Sequence, residues 1–337
     1  MAKAKTALLK RRTPTDVVGL ALGHLPEGKV AAVRLQTKGG KRELLAAAVI
    51  DLPGALPSDW ESARKAVTWS LPPPFQSPHA ALVAAAPDAV LRLTQRQAPA
   101  ADAQAQAVNG QRQAVKLAMP PDLCLEAALP EYQVLWLSRL LPEGHQPTAC
   151  SIQVAQAALL NAPLAVPEFE RAGGTAVALI VEAQRTLLVA YQNSRPVLVR
   201  EQALGNETVT QALASGLGIE PALLQSMIEE QLVDPLPLLE PVLQPLFRQI
   251  GLAVDYVAQR FEGAPTCGLL FGVPAHLAPL WLTVAERSGS ALTLTAPAAL
   301  AGFAKPRAAA PATAEEEAAL WPAIGGALAV LEEASDE

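Results

Sequence analysis

One block pattern occurs twice in this chain, and it constrains the fold more than any single residue does. Between Gly173 and Leu217, three short apolar runs (176–180, 186–191 and 196–200) are separated by polar breaks at 182–185 and 192–195. A helical pattern begins near Asn206. Runs of this length, rich in Val and Leu and bounded by turn residues, predict a three-strand antiparallel meander. Asn206 is the expected N-cap of the helix, with Val209, Leu213 and Leu217 following at helical spacing. The earlier copy has strand-like runs at 17–23, 30–36 and 44–51, broken at 24–29 and 37–41, and a helical segment at 58–71. Two copies of strand–strand–strand–helix predict a duplicated α/β architecture with a cleft between its halves.

A chain of 337 residues, 51% hydrophobic and 17% charged, has enough apolar content for two lobes with cores of their own. Its net charge of -6 argues against nucleic acid as the main partner, because phosphate binding needs a basic surface. No run approaches the roughly 20 apolar residues that span a bilayer, and the basic start leads into no apolar leader. Cys124, Cys150 and Cys267 are far apart and without paired spacing, so they read as free thiols of a reducing compartment. His24, His79, His145 and His276 show no metal-ligand spacing, and no hydrolase elbow occurs. A cytoplasmic protein with no bound metal is expected.

Residues 1–14 form a basic tail with Lys3, Lys5, Lys10, Arg11 and Arg12 around an Ala-Leu-Leu run. It reads as a solubilising segment, or as a weak contact with an anionic membrane surface. Residues 23–30 nearly match a phosphate-cradling loop. Val30 stands where a Ser or Thr should hold magnesium, however, and a strand follows where a helix should, so a hairpin turn is expected. Ser58, with Glu61, is the expected cap of the first helix, whose core face is Trp60, Ala63, Val67 and Leu71. Residues 79–86 and 90–97 read as a hairpin, 101–113 as a helix, 115–119 as a strand, and 121–141 as a helix with an irregularity at Pro130. Later come a helical stripe (Leu243, Phe247, Ile250, Val254, Val257, Phe261), a strand at 266–272, a helix at 274–288, a strand at 292–295 and a short helix at 297–303. The expected domains are a first lobe (15–77, 149–172 and 315–333), an insertion (78–148), a second lobe (173–303) and a linker (304–314).

This order of elements resembles the actin-like ATPase superfamily. Within it the chain looks like the PilM-like proteins of type IV pilus inner-membrane platforms, related to FtsA and the cytoplasmic region of GspL. The resemblance is carried by Pro196 to Glu201 followed by Leu204-Gly205-Asn206 and Thr210, by the long helix ending in Asp255-Tyr256, and by Ala323 to Ala329 for the last helix. It implies an actin-like, ribonuclease H-like, duplicated two-lobe fold with an α+β insertion in the first lobe.

The departures fall on the nucleotide chemistry. Family members that bind ATP open each meander with an Asp-Ile-Gly turn. Here the first copy has Leu20-Ala21-Leu22-Gly23 and the second has Val181-Glu182-Ala183-Gln184. The adenine-side Gly-Gly reads as Gly272-Val273, and no lysine occurs between Lys116 and Lys305. The degenerate nucleotide cleft is therefore expected at Gly23, Lys29, Glu182, Gly205, Asn206 and Gly272, with no catalytic residue and no cofactor. Losing several charge-assisted contacts, each worth roughly 1.5–3 kcal/mol, would carry a micromolar site to millimolar or beyond.

The resemblance implies a cytoplasmic scaffold, peripheral to the inner membrane. Its partner would be a PilN-type bitopic protein, bound through its cytoplasmic N-terminal tail, and self-assembly is compatible with it. The tail groove is expected around 79–97 and 115–119. The alternative is an active ATPase or kinase using ATP and magnesium, with Glu182, Lys29, Asn206 and Asp255 as candidates.

Overall fold

The computed structural model describes residues 14–332, apart from 66–68, 86–89, 96–111, 120–122, 142–146, 148, 262, 290, 301 and 304–313. The first meander is β1 (Asp16–Leu22), β2 (Lys29–Lys38) and β3 (Lys41–Asp51). After a short helix α1 (Trp60–Arg64) and a 3-10 turn at Pro73–Phe75 comes β4 (His79–Ala84). Next are β5 (Val90–Gln95), β6 (Arg112–Met119), β7 (Leu123–Pro130) and α2 (Glu131–Leu140). The chain then returns through β8 (Ala149–Val154), α3 (Ala155–Leu159), a 3-10 turn and α4 (Pro167–Arg171).

The second meander is β9 (Ala176–Val181), β10 (Thr186–Gln192) and β11 (Arg195–Gln202). It is followed by α5 (Asn206–Leu217), α6 (Pro221–Glu229), α7 (Leu236–Arg260), β12 (Cys267–Phe271), α8 (Ala278–Arg287), β13 (Leu294–Thr295) and α9 (Ala314–Glu332).

The duplication is visible in the ladders. The first sheet has order β3-β2-β1-β4-β8 and the second β11-β10-β9-β12-β13. In each, the meander is antiparallel and the two later strands are parallel to its first strand. β1 and β9 are the central strands and read as unbroken apolar runs because both faces are covered. One core lies between the lobes, where Val17, Ala178, Ile180, Phe271, Trp321 and Leu328 pack together. α9 sits there on β1, β2 and β4. Small residues let it approach: a Cβ on Gly19 would lie 2.0 Å from Ala323 O, and one on Gly325 2.0 Å from Ala158 O. The outer core of the second lobe is the α7 stripe, Leu239, Leu243, Phe247, Ile250 and Val257, against β9, β10 and α8.

Several expectations need correction. The hairpin read at 79–97 does not form. β4 pairs with β1 and β8 inside the first sheet, and β5 pairs with β7 in a separate three-strand sheet of order β5-β7-β6. The insertion therefore begins after β4 and not at 78. The helix read over 121–141 is two elements, because Pro130 caps α2 and the residues before it alternate as β7. α7 starts at Leu236 and runs through Pro241 and Pro245, earlier than its prolines suggest. Residues 297–303 form no helix among the described positions. The cap of α1 is Asp59 paired with Ser62, and α1 stops at Arg64, so Trp60 is 40% exposed beside Tyr132 and Trp69 lies outside any helix. The helix read at 101–113 becomes strand at Arg112–Met119, with 101–111 outside the described residues. Residues 1–13 of the basic tail (1–14) and 304–313 of the linker (304–314) are also outside them.

Candidate functional site

The six residues expected at the nucleotide cleft fall into two groups, one at the end of β9 and one at the end of β1. Four of the six expected residues converge on the end of β9. The strand stops at Val181, and the turn 182–185 is closed by the Glu182 N–H donating to Arg185 O at 2.8 Å. The Glu182 carboxylate accepts from Arg185 Nε at 2.6 Å and from Gln156 Nε2 at 3.0 Å. Glu182 and Arg185 side chains are only 18% and 24% exposed, so the pair is largely shielded from solvent. Arg185 also reaches Glu201 Oε2 at 3.5 Å. Gln156 belongs to α3 of the first lobe, and its bond to Glu182 therefore crosses between lobes.

The start of α5 lies on the same turn. The first N–H groups of a helix have no partner within it and are natural anion donors. Here the Asn206 N–H donates to Glu182 O and the Glu207 N–H to Ala183 O, both at 2.8 Å. The N-cap is Gly205 and not Asn206, which is the first helical residue. A Cβ on Gly205 would lie 2.5 Å from Ala183 O and Arg185 N, so only glycine lets the turn seat on the helix. The freed Asn206 side chain donates through Nδ2 to Gly272 O at 2.7 Å. Gly272 has φ +77, and a Cβ there would lie 2.1 Å from Val181 O.

The remaining two residues are on the first lobe. Gly23 ends β1 with φ +83, and a Cβ on it would lie 2.6 Å from Ala85 O. Lys29 opens β2 at the far side of the turn, where its exposed ammonium binds Asp51 Oδ1 at 2.6 Å. Asp255 is exposed on α7.

Sequence reading missed three participants. Arg185 was legible as a base three residues after Glu182. Gln156 carries no signal in its Ala-Gln-Ala-Ala stretch. His24, next to Gly23, has a shielded Nε2 with no described partner, and burial lowers its pKa to about 4.

At the end of β9 the unpartnered groups are acceptors. Gln156 Oε1 and Asn206 Oδ1 are buried and accept from no described donor. A polyphosphate is itself rich in acceptors and needs N–H groups, cations or metal. Among the described residues no group of three or more His, Cys, Asp or Glu side chains is placed to hold a metal. A shallow cavity elsewhere, lined by Val166, Glu168, Thr295, Pro297 and Gly302 among others, includes none of the expected site residues.

No family model matches the sequence, and no curated protein matches it. Among solved structures, a chain of the PilM-PilN type IV pilus biogenesis complex is similar over 94% of this chain and 98% of its own, with 15% identity and a TM-score of 0.57. A Bacteroides thetaiotaomicron protein with an actin-like ATPase fold and unknown function is similar over 84% and 91%, with 7% identity and a TM-score of 0.44. The ROK hexokinase of Thermus thermophilus is similar over 94% and 99%, with 14% identity and a TM-score of 0.44. The chain therefore shares its fold with that chain of the PilM-PilN complex, built here from two copies of one mixed sheet.

Proposed function

We propose that this chain is a scaffold of a type IV pilus or type II secretion platform that has lost nucleotide binding. Its partner in this reading is the cytoplasmic tail of a PilN-type bitopic protein. The observation that carries the loss is the filled end of β9. Glu182 is paired with Arg185 and accepts from Gln156, two N–H groups of α5 are bonded to the turn, and the buried side-chain oxygens of Gln156 and Asn206 are acceptors without a described donor. The platform role is supported by the near full-length likeness to the PilM-PilN structure. No helix among the described residues is long and apolar enough to cross a membrane, which is compatible with a chain held at the membrane through a partner.

The peptide groove expected at 79–97 and 115–119 narrows to the insertion. β4 is bonded on both sides within the first sheet, whereas β5 and β6 are the edges of theirs. An extended tail recognised by main-chain bonds needs such an edge. The test is fluorescence anisotropy with a synthetic peptide of the PilN-type tail from the same organism. Saturable binding that weakens at least tenfold with proline substitutions along β6 is expected. Absence of binding at millimolar protein would overturn the reading.

A further inference from the structure

β3 is a long sheet edge that α9 and the turn at Pro73–Phe75 touch, but no described strand pairs with its outer side. It is 11 residues long, and Leu44 to Ile50 is an unbroken run without charge or proline. β2 occupies one side, and no described backbone group bonds to the other. Natural proteins protect such edges with charge, proline, shortness or a covering element, because the unpaired groups template another strand. The equivalent strand of the second lobe, β11, is protected: it carries Arg195, Pro196, Arg200 and Glu201, and it lies against β5 and β6. β8 is short and faces α2 and β7, and β13 has two residues. β3 carries its charges only at its ends, Lys41, Arg42 and Glu43 at the start and Asp51 at the finish, and has one bulge, between Leu44 and Ala46, so the stretch between is left without charge or proline.

We propose that a second copy of this chain pairs with β3, antiparallel and edge to edge about a two-fold axis near Ala46. The charges at the strand ends select both the occupant and the direction. β3 begins with Lys41, exposed and with no described ion partner, and ends with Asp51, whose side chain is 86% exposed although Lys29 holds one oxygen. Antiparallel pairing sets Lys41 of each copy beside Asp51 of the other. Parallel pairing would set like charges together, which disfavours it. The interface is isologous and closes at a dimer. It joins two five-strand sheets into one of ten strands and leaves the cleft and the insertion free, so it stands apart from the platform reading.

The experiment is sedimentation velocity of the full chain from micromolar to hundred-micromolar concentration, with amide exchange followed over the same range. A reversible dimer is expected, with exchange of the 44–50 amides slowing as concentration rises. Lys41→Glu or Asp51→Lys should each weaken the dimer about tenfold, since an exposed attraction becomes a repulsion at both ends. The charge-swapped double variant should recover most of that loss. Lys41 and Asp51 are exposed, and because Asp51→Lys also removes the bridge to Lys29, the thermal midpoint of each variant checks that it folds. A monomer at every concentration would overturn the proposal. So would a dimer that ignores both variants or shows its protection away from β3.

Discussion

β1 ends in an open turn with glycine at both ends, whereas β9 ends in a turn locked by its own side chains. In the first lobe the turn spans 23–28, with Gly23 and Gly28 both at positive φ, and it carries His24, whose shielded Nε2 has no partner among the described residues. In the second lobe four residues suffice, and Glu182, Arg185, Gln156 and the first N–H groups of α5 bond to one another. The glycines have also changed strands. Gly23 follows β1 and packs on Ala85 beyond β4, whereas Gly272 follows β12 and packs on Val181 at the end of β9. Each lobe thus keeps one bare backbone crossing, but only the first keeps it where a phosphate turn would. The lesson is that two copies of one sheet can end the same strand differently, one in a glycine-bounded turn and the other in a turn bonded by internal polar contacts, while the packing is alike.

The largest expected effect tests the crossing itself. Gly272→Ala must move the backbone, since the new Cβ would lie 2.1 Å from Val181 O at φ +77. Urea unfolding should show a loss of more than about 3 kcal/mol. Gly39→Ala, at φ +58 with nothing within 4 Å, should cost only about 1–2 kcal/mol. Equal costs would show that the crossing is not tight.

Next comes the lock. Glu182→Ala leaves Arg185 and Gln156 without their acceptor and should cost about 2–3 kcal/mol by the same measurement. A double-mutant cycle with Gln156→Ala should return a coupling of about 0.5–1.5 kcal/mol, because that bond joins the lobes.

The open turn supplies a smaller, pH-dependent effect. His24 titrates near 6.5 when unfolded and at about 4 when folded, because burial disfavours its charged form. The unfolded chain therefore binds more protons between those values. Stability is full above pH 6.5 and falls as pH drops toward 4, by about 1–2 kcal/mol once partial exposure of the ring is allowed for. His24→Gln should flatten that part of the pH profile. The smallest effect is expected at Lys29. Its bridge to Asp51 is exposed, so Lys29→Ala should leave the unfolding midpoint unchanged. A clear loss there would give the first-lobe lysine a role that its geometry does not.

Much of this contrast was legible in the residues. Apolar runs bounded by turn residues marked both meanders. Glu182, Gly205, Asn206 and Gly272 meet because each lies at the border of an element, and strand ends and helix starts gather at one rim of such a sheet. What stayed hidden depended on long-range pairing. His79 to Ala84 looks like half of a local hairpin, yet it bonds to β1, 62 residues earlier in the ladder between Val17 and His79. Leu123 to Leu129 runs into the helix after Pro130 with no polar break, so strand and helix merge into one apolar stretch. Gln156 is invisible for a similar reason: a helix glutamine becomes a cross-lobe donor only once Glu182 faces it.

The central claim is that the end of β9 is filled and the cleft takes no nucleotide. Calorimetric titration of the purified chain with Mg-ATP to millimolar concentration tests it most directly. No binding heat, and no rise in thermal midpoint with the ligand present, are expected. Saturable binding in the micromolar range, lost in Glu182→Ala, would contradict the account and return Glu182 to the phosphate.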